Sequence, residues 1–221
     1  MSGTRSGPPP AWPEVRRRGL SSEQVAADQR GRVYAGLAPA LAEVGYERLT
    51  VERLIAAAGI SRRTFYELFE GKAEAFLAAH RDALDRLDRA VGEACAGEER
   101  WPVGVRAGVE ACLEFAAGDP AMARLAAGDP FTAGPFAGRC QDALLRRLGS
   151  ALREGRACAE AEPPEVTEAG LISGVAGVVL MRLRAAGDAS VRELAPQLTE
   201  VLLTPYVGRE EAARIAAGDD R

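Results

Sequence analysis

The chain has 221 residues, 47% hydrophobic and 27% charged, a balance that suits a globular protein of one large or two modest domains and excludes a fibrous or low-complexity one. A net charge of −4 argues on its face against a nucleic-acid partner. The charge is unevenly spread, however, with 11 basic and 8 acidic residues in 1–72 against 17 and 24 in the remainder. A mildly basic head on an acidic body is the pattern this describes. Ala and Gly are abundant, and no alternating apolar/polar run of useful length occurs, so the expected fold is all-α.

Residues 1–22 are rich in Pro and Gly, without periodicity and without the apolar core of a secretory signal. They are expected to be a disordered tail on a protein that stays in the cytoplasm. Arg16, Arg17 and Arg18 form a basic arm, either solvated or following DNA. Ser21 with Gln24 makes a capping box that opens a helix over 23–44. Its buried stripe is Val33, Leu37, Ala40, Leu41 and Val44, and Gly45 closes it. Pro39 predicts a kink inside it, while Arg30 and Arg32 point to solvent or toward phosphates.

Residues 50–69, TVERLIAAAGISRRTFYELF, split into two short helical patterns around Gly59. Val51, Leu54, Ile55 and Ala58 mark one apolar face. Thr50 caps that helix, Glu52 suits its first turn, and Gly59 ends it. Ser61 caps a second helix in which Phe65, Leu68 and Phe69 point inward. Arg62, Arg63, Thr64, Tyr66 and Glu67 are left facing out. Two short helices around a glycine turn, the second with a basic, hydrogen-bonding outer face, make a helix-turn-helix. Arg62 and Arg63, at the start of the second helix, are placed to meet guanine edges, and Glu67 to accept from cytosine or repel phosphates.

A long fourth helix begins at Lys72 and runs to about Cys95, with Phe76, Leu77, Leu84, Leu87 and Val91 on its apolar side and His80 on or near it. Lys72 is the single lysine of the chain. Residues from about 24 to 79 resemble the DNA-binding domain of the TetR family of bacterial transcription regulators, on TV-x-x-LIAAAGIS, TFY-x-LF and Lys72. The resemblance implies that Thr50, Ser61, Arg62, Arg63, Thr64, Tyr66, Glu67 and Lys72 form the DNA surface, Tyr66, Thr64 and Lys72 holding the backbone. Where the family commonly has His or Tyr before the final Phe, this chain has Leu68.

Beyond Ala96, Asp119-Pro120 and Asp129-Pro130 each read as a helix N-cap with proline in the first turn. Helices are expected over 103–117, 121–127, 131–154, 165–184, 191–204 and 210–217. Residues 169–181 carry no charge but are too few to span a bilayer, so that helix must be buried on nearly every side. Leu171, Gly174 and Val178 there, with Leu194, Leu198, Val201 and Leu202 on the next helix, are read as a homodimer interface, which the family resemblance also implies. The organisation expected is therefore a tail (1–22), a three-helix DNA-binding head (23–88) and a larger helical effector-binding and dimerisation domain (89–221).

No catalytic constellation is visible, and no enzyme, metal site or cofactor is expected. His80 is the one histidine, too few for a hydrolytic triad or a histidine metal site. Cys95, Cys112, Cys140 and Cys158 lack C-x-x-C spacing and read as reduced small hydrophobes or, less simply, a redox pair. Candidate effector-pocket residues are His80, Cys112, Phe115, Met122, Phe131, Phe136, Cys140 and Val175. The reading is a dimeric repressor, ligand-responsive, partnered by a double-stranded DNA operator and a small-molecule effector, with no membrane association. Two alternatives stay open: a constitutive DNA-binding protein without effector, and a helical small-molecule-binding or enzymatic domain whose helix-turn-helix is only a fold element.

Overall fold

A computed structural model describes residues 22–185 and 188–219. The expected tail, its arginine arm and the Ser21 cap lie outside the described residues. Among the described residues there are α-helices and short 3-10 turns but no strand, and no helix long and apolar enough to cross a membrane.

The head is built from α1 (Ser22–Arg48), α2 (Val51–Ala58) and α3 (Arg62–Leu68). Val33, Leu37 and Leu41 of α1 are buried with Leu54 of α2 and Phe65 and Phe69 at α3, while Ala40 and Val44 are half-buried. The interruption in α1 falls at Gly45 (φ 72°, ψ 168°) and not at Pro39, which stays in helical backbone. A positive φ is open to glycine without a Cβ penalty, and one further turn carries the chain through Tyr46 to Arg48.

α4 (Lys72–Ala96) runs from the head into the body, where it packs against α5 (Trp101–Gly118) and α6 (Pro120–Ala126). Both Asp-Pro caps form as expected: the Asp119 carboxylate accepts the Met122 amide at 3.1 Å, and Asp129 accepts that of Phe131 at 3.0 Å. The helix expected over 131–154 is instead three pieces: α7 (Pro130–Ala133), a 3-10 turn (Gly134–Phe136) and α8 (Ala137–Arg153). Pro135 lacks an amide hydrogen, and Gly134 takes φ 51°, ψ −126°, so helical hydrogen bonding cannot pass through the pair.

α9 (Thr167–Ala185), α10 (Ala195–Val207) and α11 (Arg209–Ala216) complete the body. An expectation is corrected here. Leu194, Leu198 and Leu202 are 4%, 5% and 7% exposed within a single chain, because their stripe turns inward against α5. Of the residues read as an interface, Gly174 and Val201 are exposed, and Leu171 and Val178 half-buried.

One buried ionic group ties the body's lower end together. The Glu168 carboxylate, at the start of α9, receives both the Nε (2.7 Å) and an Nη (2.9 Å) of Arg156 and the Tyr206 hydroxyl (3.2 Å). Arg156 also donates to the Pro163 and Pro164 carbonyls. Tyr206 meets Trp101 edge-on at 5.2 Å, and the Trp101 indole donates to the Ala151 carbonyl at 2.9 Å. The Arg156 guanidinium holds the Glu168 carboxyl down to about 2, while burial and the carboxylate push Tyr206 up to about 12. A depressed carboxyl stabilises the fold above the ordinary carboxylate range and loses that contribution as pH falls toward the folded-state value. Thermal melts of wild type should therefore lose stability between pH 4.5 and about 2, and Glu168→Gln, already destabilised at neutral pH, should show a shallower fall over that window. Parallel pH dependence of the two proteins would remove Glu168 as the group responsible.

Candidate nucleic-acid interface and effector cavity

The helix-turn-helix is fixed by hydrogen bonds that can be named one at a time. Thr50 Oγ1 accepts the Arg53 amide at 3.2 Å, and Gly59 caps α2 in the left-handed region (φ 59°, ψ 40°). Ser61 Oγ accepts the Thr64 amide at 3.0 Å and shares a hydrogen with the Thr64 hydroxyl at 2.8 Å. Thr50, Ser61 and Thr64 thus use their hydroxyls on the helix starts themselves. A guanidinium nitrogen of Arg32 on α1 donates to the Gly59 carbonyl, pinning the turn. Arg32 is exposed, as expected, but the contact also gives it a structural role that pattern reading has no signal for, since it joins residues 27 apart.

On the outer face of α3 every charged group has a partner. Arg63 Nε donates to Glu67 at 2.8 Å one turn on, with the two side chains 89% and 56% exposed. Arg62 reaches back to Glu52 of α2 at 3.3 Å and lies over the Tyr66 ring at 5.7 Å. Both pairs are exposed, where such bonds are worth about 0–1 kcal/mol. They orient the arginines yet are weak enough to exchange for a nucleic acid. Leu68 is half-buried, as its inward assignment required.

Lys72 stands apart. Its Nζ donates to the Tyr46 carbonyl at 3.1 Å and lies 4.3 Å from the centre of the Tyr46 ring. Tyr46 is in turn held edge-on by Phe76 at 5.3 Å and Phe136 at 5.2 Å, and Phe136 stacks on Phe76 at 5.2 Å. The turn at Gly134 presses on Tyr46, since a Cβ there would fall 3.0 Å from the tyrosine's own. Lys72 is therefore positioned by an aromatic group to which head and body both contribute.

In the body, α4, α5, α6, α8, α9 and α10 line a cavity of about 130 Å³. Of the eight expected pocket residues, Cys112, Phe115 and Val175 line it; the other five do not, and the expectation for them is corrected. His80 packs parallel to Phe76, 6.5 Å between ring centres, beside the head–body joint. Burial holds its imidazole below the ordinary value, partly opposed by a hydrogen bond to the Ala126 backbone, and its Nε2 has no partner among the described residues. Phe136 belongs to the same aromatic group, Met122 and Cys140 are core, and Phe131 is 52% exposed against Gly45. The missed lining residues are leucines and valines of the surrounding helices together with small residues, Gly108, Ala116, Ala123, Ala151 and Ala176 among them. A hydrophobic pattern marks a face and gives no sign of where short side chains leave space.

Residues 38–79 match the family described as bacterial regulatory proteins, tetR family. The match spans the end of α1, the helix-turn-helix and the start of α4. Among solved structures the chain is similar to the fatty acid degradation regulator FadR from Bacillus halodurans, at 15% identity and a TM-score of 0.68 over 79% of this chain and 94% of that one. It is also similar to FadR from Bacillus subtilis in complex with stearoyl-CoA, at 16% identity and a TM-score of 0.63 over 80% and 98%. RolR in complex with resorcinol matches at 17% and 0.59 over 88% and 95%. Among curated proteins none matches by sequence. The likeness to these structures extends the TetR-type architecture, a helix-turn-helix head with a larger helical domain, across the body.

A helix-turn-helix head that matches the tetR family model and carries paired surface charges should have its DNA affinity set partly by those acids. Glu67→Gln frees Arg63 and removes a charge that repels phosphates, so binding to random duplex should tighten several-fold, with a steeper salt dependence. Fluorescence anisotropy at two salt concentrations measures this; an unchanged affinity would mean that α3 does not approach the duplex with this face.

Proposed function

We propose that this chain is a TetR-family transcription regulator, a repressor that binds a near-palindromic operator as a homodimer and is released by a small-molecule effector in the body cavity. The observation that carries the proposal is the coexistence of an exposed arginine pair on α3 with an apolar cavity in the body, joined by the same long helix. Leu87, Val91 and Cys95 of α4 line the cavity, and Lys72 at the other end of α4 meets the head. That stearoyl-CoA and resorcinol complexes exist for two structurally similar regulators supports the cavity as an effector site here. A regulator of bacterial genes acts in the cytoplasm, with its DNA. The constitutive alternative has no use for the cavity, and the enzymatic one none for the α3 surface.

The head, residues 23–88, would approach DNA with Arg62 and Arg63 at base edges and Thr50, Ser61, Thr64, Tyr66 and Lys72 at the backbone. In a two-fold dimer the two α3 helices would stand about 34–36 Å apart, one duplex turn. The relay runs through α6 and α7. Ala123 and Ala127 line the cavity, and the segment after them bears on Gly45 and Tyr46, which holds Lys72. Filling the cavity would shift that segment and with it the head.

The dimer face proposed within residues 89–221 is the outer side of α9, where Gly170, Ser173, Gly174, Gly177 and Met181 share one exposed stripe. Leu171 and Val178 flank it. Met181 is 61% exposed and Val201 of α10 53%. Small residues let a second helix approach closely, and the exposed methionine and valine supply apolar area for it to cover.

Two measurements test this. Fragments selected from random duplex DNA should give an inverted repeat containing a G·C pair in each half-site. Against single-base variants of that site, Arg62→Ala and Arg63→Ala should each lose about 1–3 kcal/mol on one guanine and become indifferent to that position. Full retention of wild-type preference by both mutants would assign specificity elsewhere. Separately, Gly174→Arg, which buries an unpaired charge at a cost of several kcal/mol, should yield monomers in light scattering and abolish binding to the full repeat. A dimeric Gly174→Arg protein would move the interface off α9.

A further inference from the structure

The wall of the cavity has a chemistry as well as a size. No lining side chain carries nitrogen or oxygen; they are Ala, Val, Leu, Ile, Phe and Gly, with Cys95 and Cys112 supplying the heteroatoms. The backbone adds little. Most lining residues lie inside helices, where amides and carbonyls are already bonded along the axis. At the end of α6 the Ala127 amide is given to the Ala123 carbonyl. Of the two thiols, Cys95 is committed to the Gly104 carbonyl at 3.3 Å. Cys112 is half-buried, and desolvation pushes its thiol up to about 11, leaving a neutral thiol and a weak donor.

A hydroxyl or carboxylate brought into such a space leaves water and finds no partner. An apolar cavity of about 150 Å³ is known to stay dry and to admit a benzene-sized guest, and the present one, about 130 Å³, is close to that size. Resting on the reading of the cavity as the effector site, we infer that the group it accepts is an unfunctionalised hydrocarbon, a single ring or the end of an alkyl chain, with any polar part of the effector held outside it. The same chemistry is offered by a free small hydrocarbon and by the tail of a fatty acyl compound, and the test separates the two.

The full-length protein is titrated calorimetrically with toluene, with octanoate and with the dihydroxybenzene resorcinol. Ala176→Leu narrows the cavity, and Val175→Thr keeps its shape while adding a hydroxyl to the wall; circular dichroism checks that each remains helical. Toluene or octanoate should bind at least tenfold more tightly than resorcinol, and Ala176→Leu should weaken that binding at least tenfold. Val175→Thr should weaken it several-fold, and it serves alone should Ala176→Leu fail to fold. Binding of octanoate assigns the guest to a chain end, and binding of toluene alone to a free hydrocarbon. Resorcinol binding as tightly as toluene, with the same sensitivity to the variants, would overturn the hydrocarbon inference and leave the effector site standing. If none of the three binds in a way the variants alter, the effector-site reading falls too.

Discussion

The contact on which the molecule's two halves depend is the one between Tyr46 and the rings around it. Tyr46 lies in the last turn of α1, Phe76 belongs to α4 and Phe136 to the turn before α8, so three distant stretches of sequence meet edge-on and stacked within 5.2 to 5.3 Å. Aromatic pairs of this geometry add about 0.5–1.5 kcal/mol each beyond their buried area. More important than the sum is what hangs on it. The Tyr46 carbonyl and ring hold Lys72, so the cation at the start of α4 cannot move without the joint moving. Gly45 and Gly134 make room for it, one by breaking α1 and the other by breaking the helix that would have continued past Ala133.

Much of the head is legible in the sequence because its determinants are local. Thr50, Gly59 and Ser61 act on amides and carbonyls two to four residues away, and spacing alone specifies such bonds. The same holds for the Asp119 and Asp129 caps. The body is harder to read for two different reasons. Periodicity reports that Leu194, Leu198 and Leu202 share a face but not whether that face meets its own chain or a second copy, and here it turns inward. Gly134-Pro135 is a recognisable turn pair, yet the apolar pattern on either side runs on in helical register and masks it. Arg32 and the Arg156–Glu168–Tyr206 group depend on tertiary approach, which no window of sequence contains.

The paired acids on α3 bear on specificity. An arginine lying free on the surface can bind any phosphate, and a protein with two of them would bind duplex indiscriminately. In the proposed complex Arg62 against Glu52 and Arg63 against Glu67 would each give up a carboxylate before meeting DNA. The exchange is nearly neutral when guanine offers two well-placed acceptors, and unfavourable where the nearby Glu67 is forced against phosphate. Repulsion of wrong sites is as effective a source of discrimination as attraction to the right one.

The size of the cavity also limits what one molecule of the proposed effector can do. Empty apolar volume costs about 24 cal/mol per Å³, so filling about 130 Å³ yields at most about 3 kcal/mol, roughly a hundredfold bias between conformers. Taking a two-state equilibrium from 1:99 to 99:1 needs about 5.5 kcal/mol of differential binding. One filled cavity falls short of a complete switch. Two cavities in a dimer whose protomers change together reach about 6 kcal/mol, which suffices. In the proposed assembly, then, dimerisation does more than match two heads to two half-sites: it lets two weak, featureless hydrocarbon contacts act on one equilibrium, which a monomer with the same cavity has no means of doing.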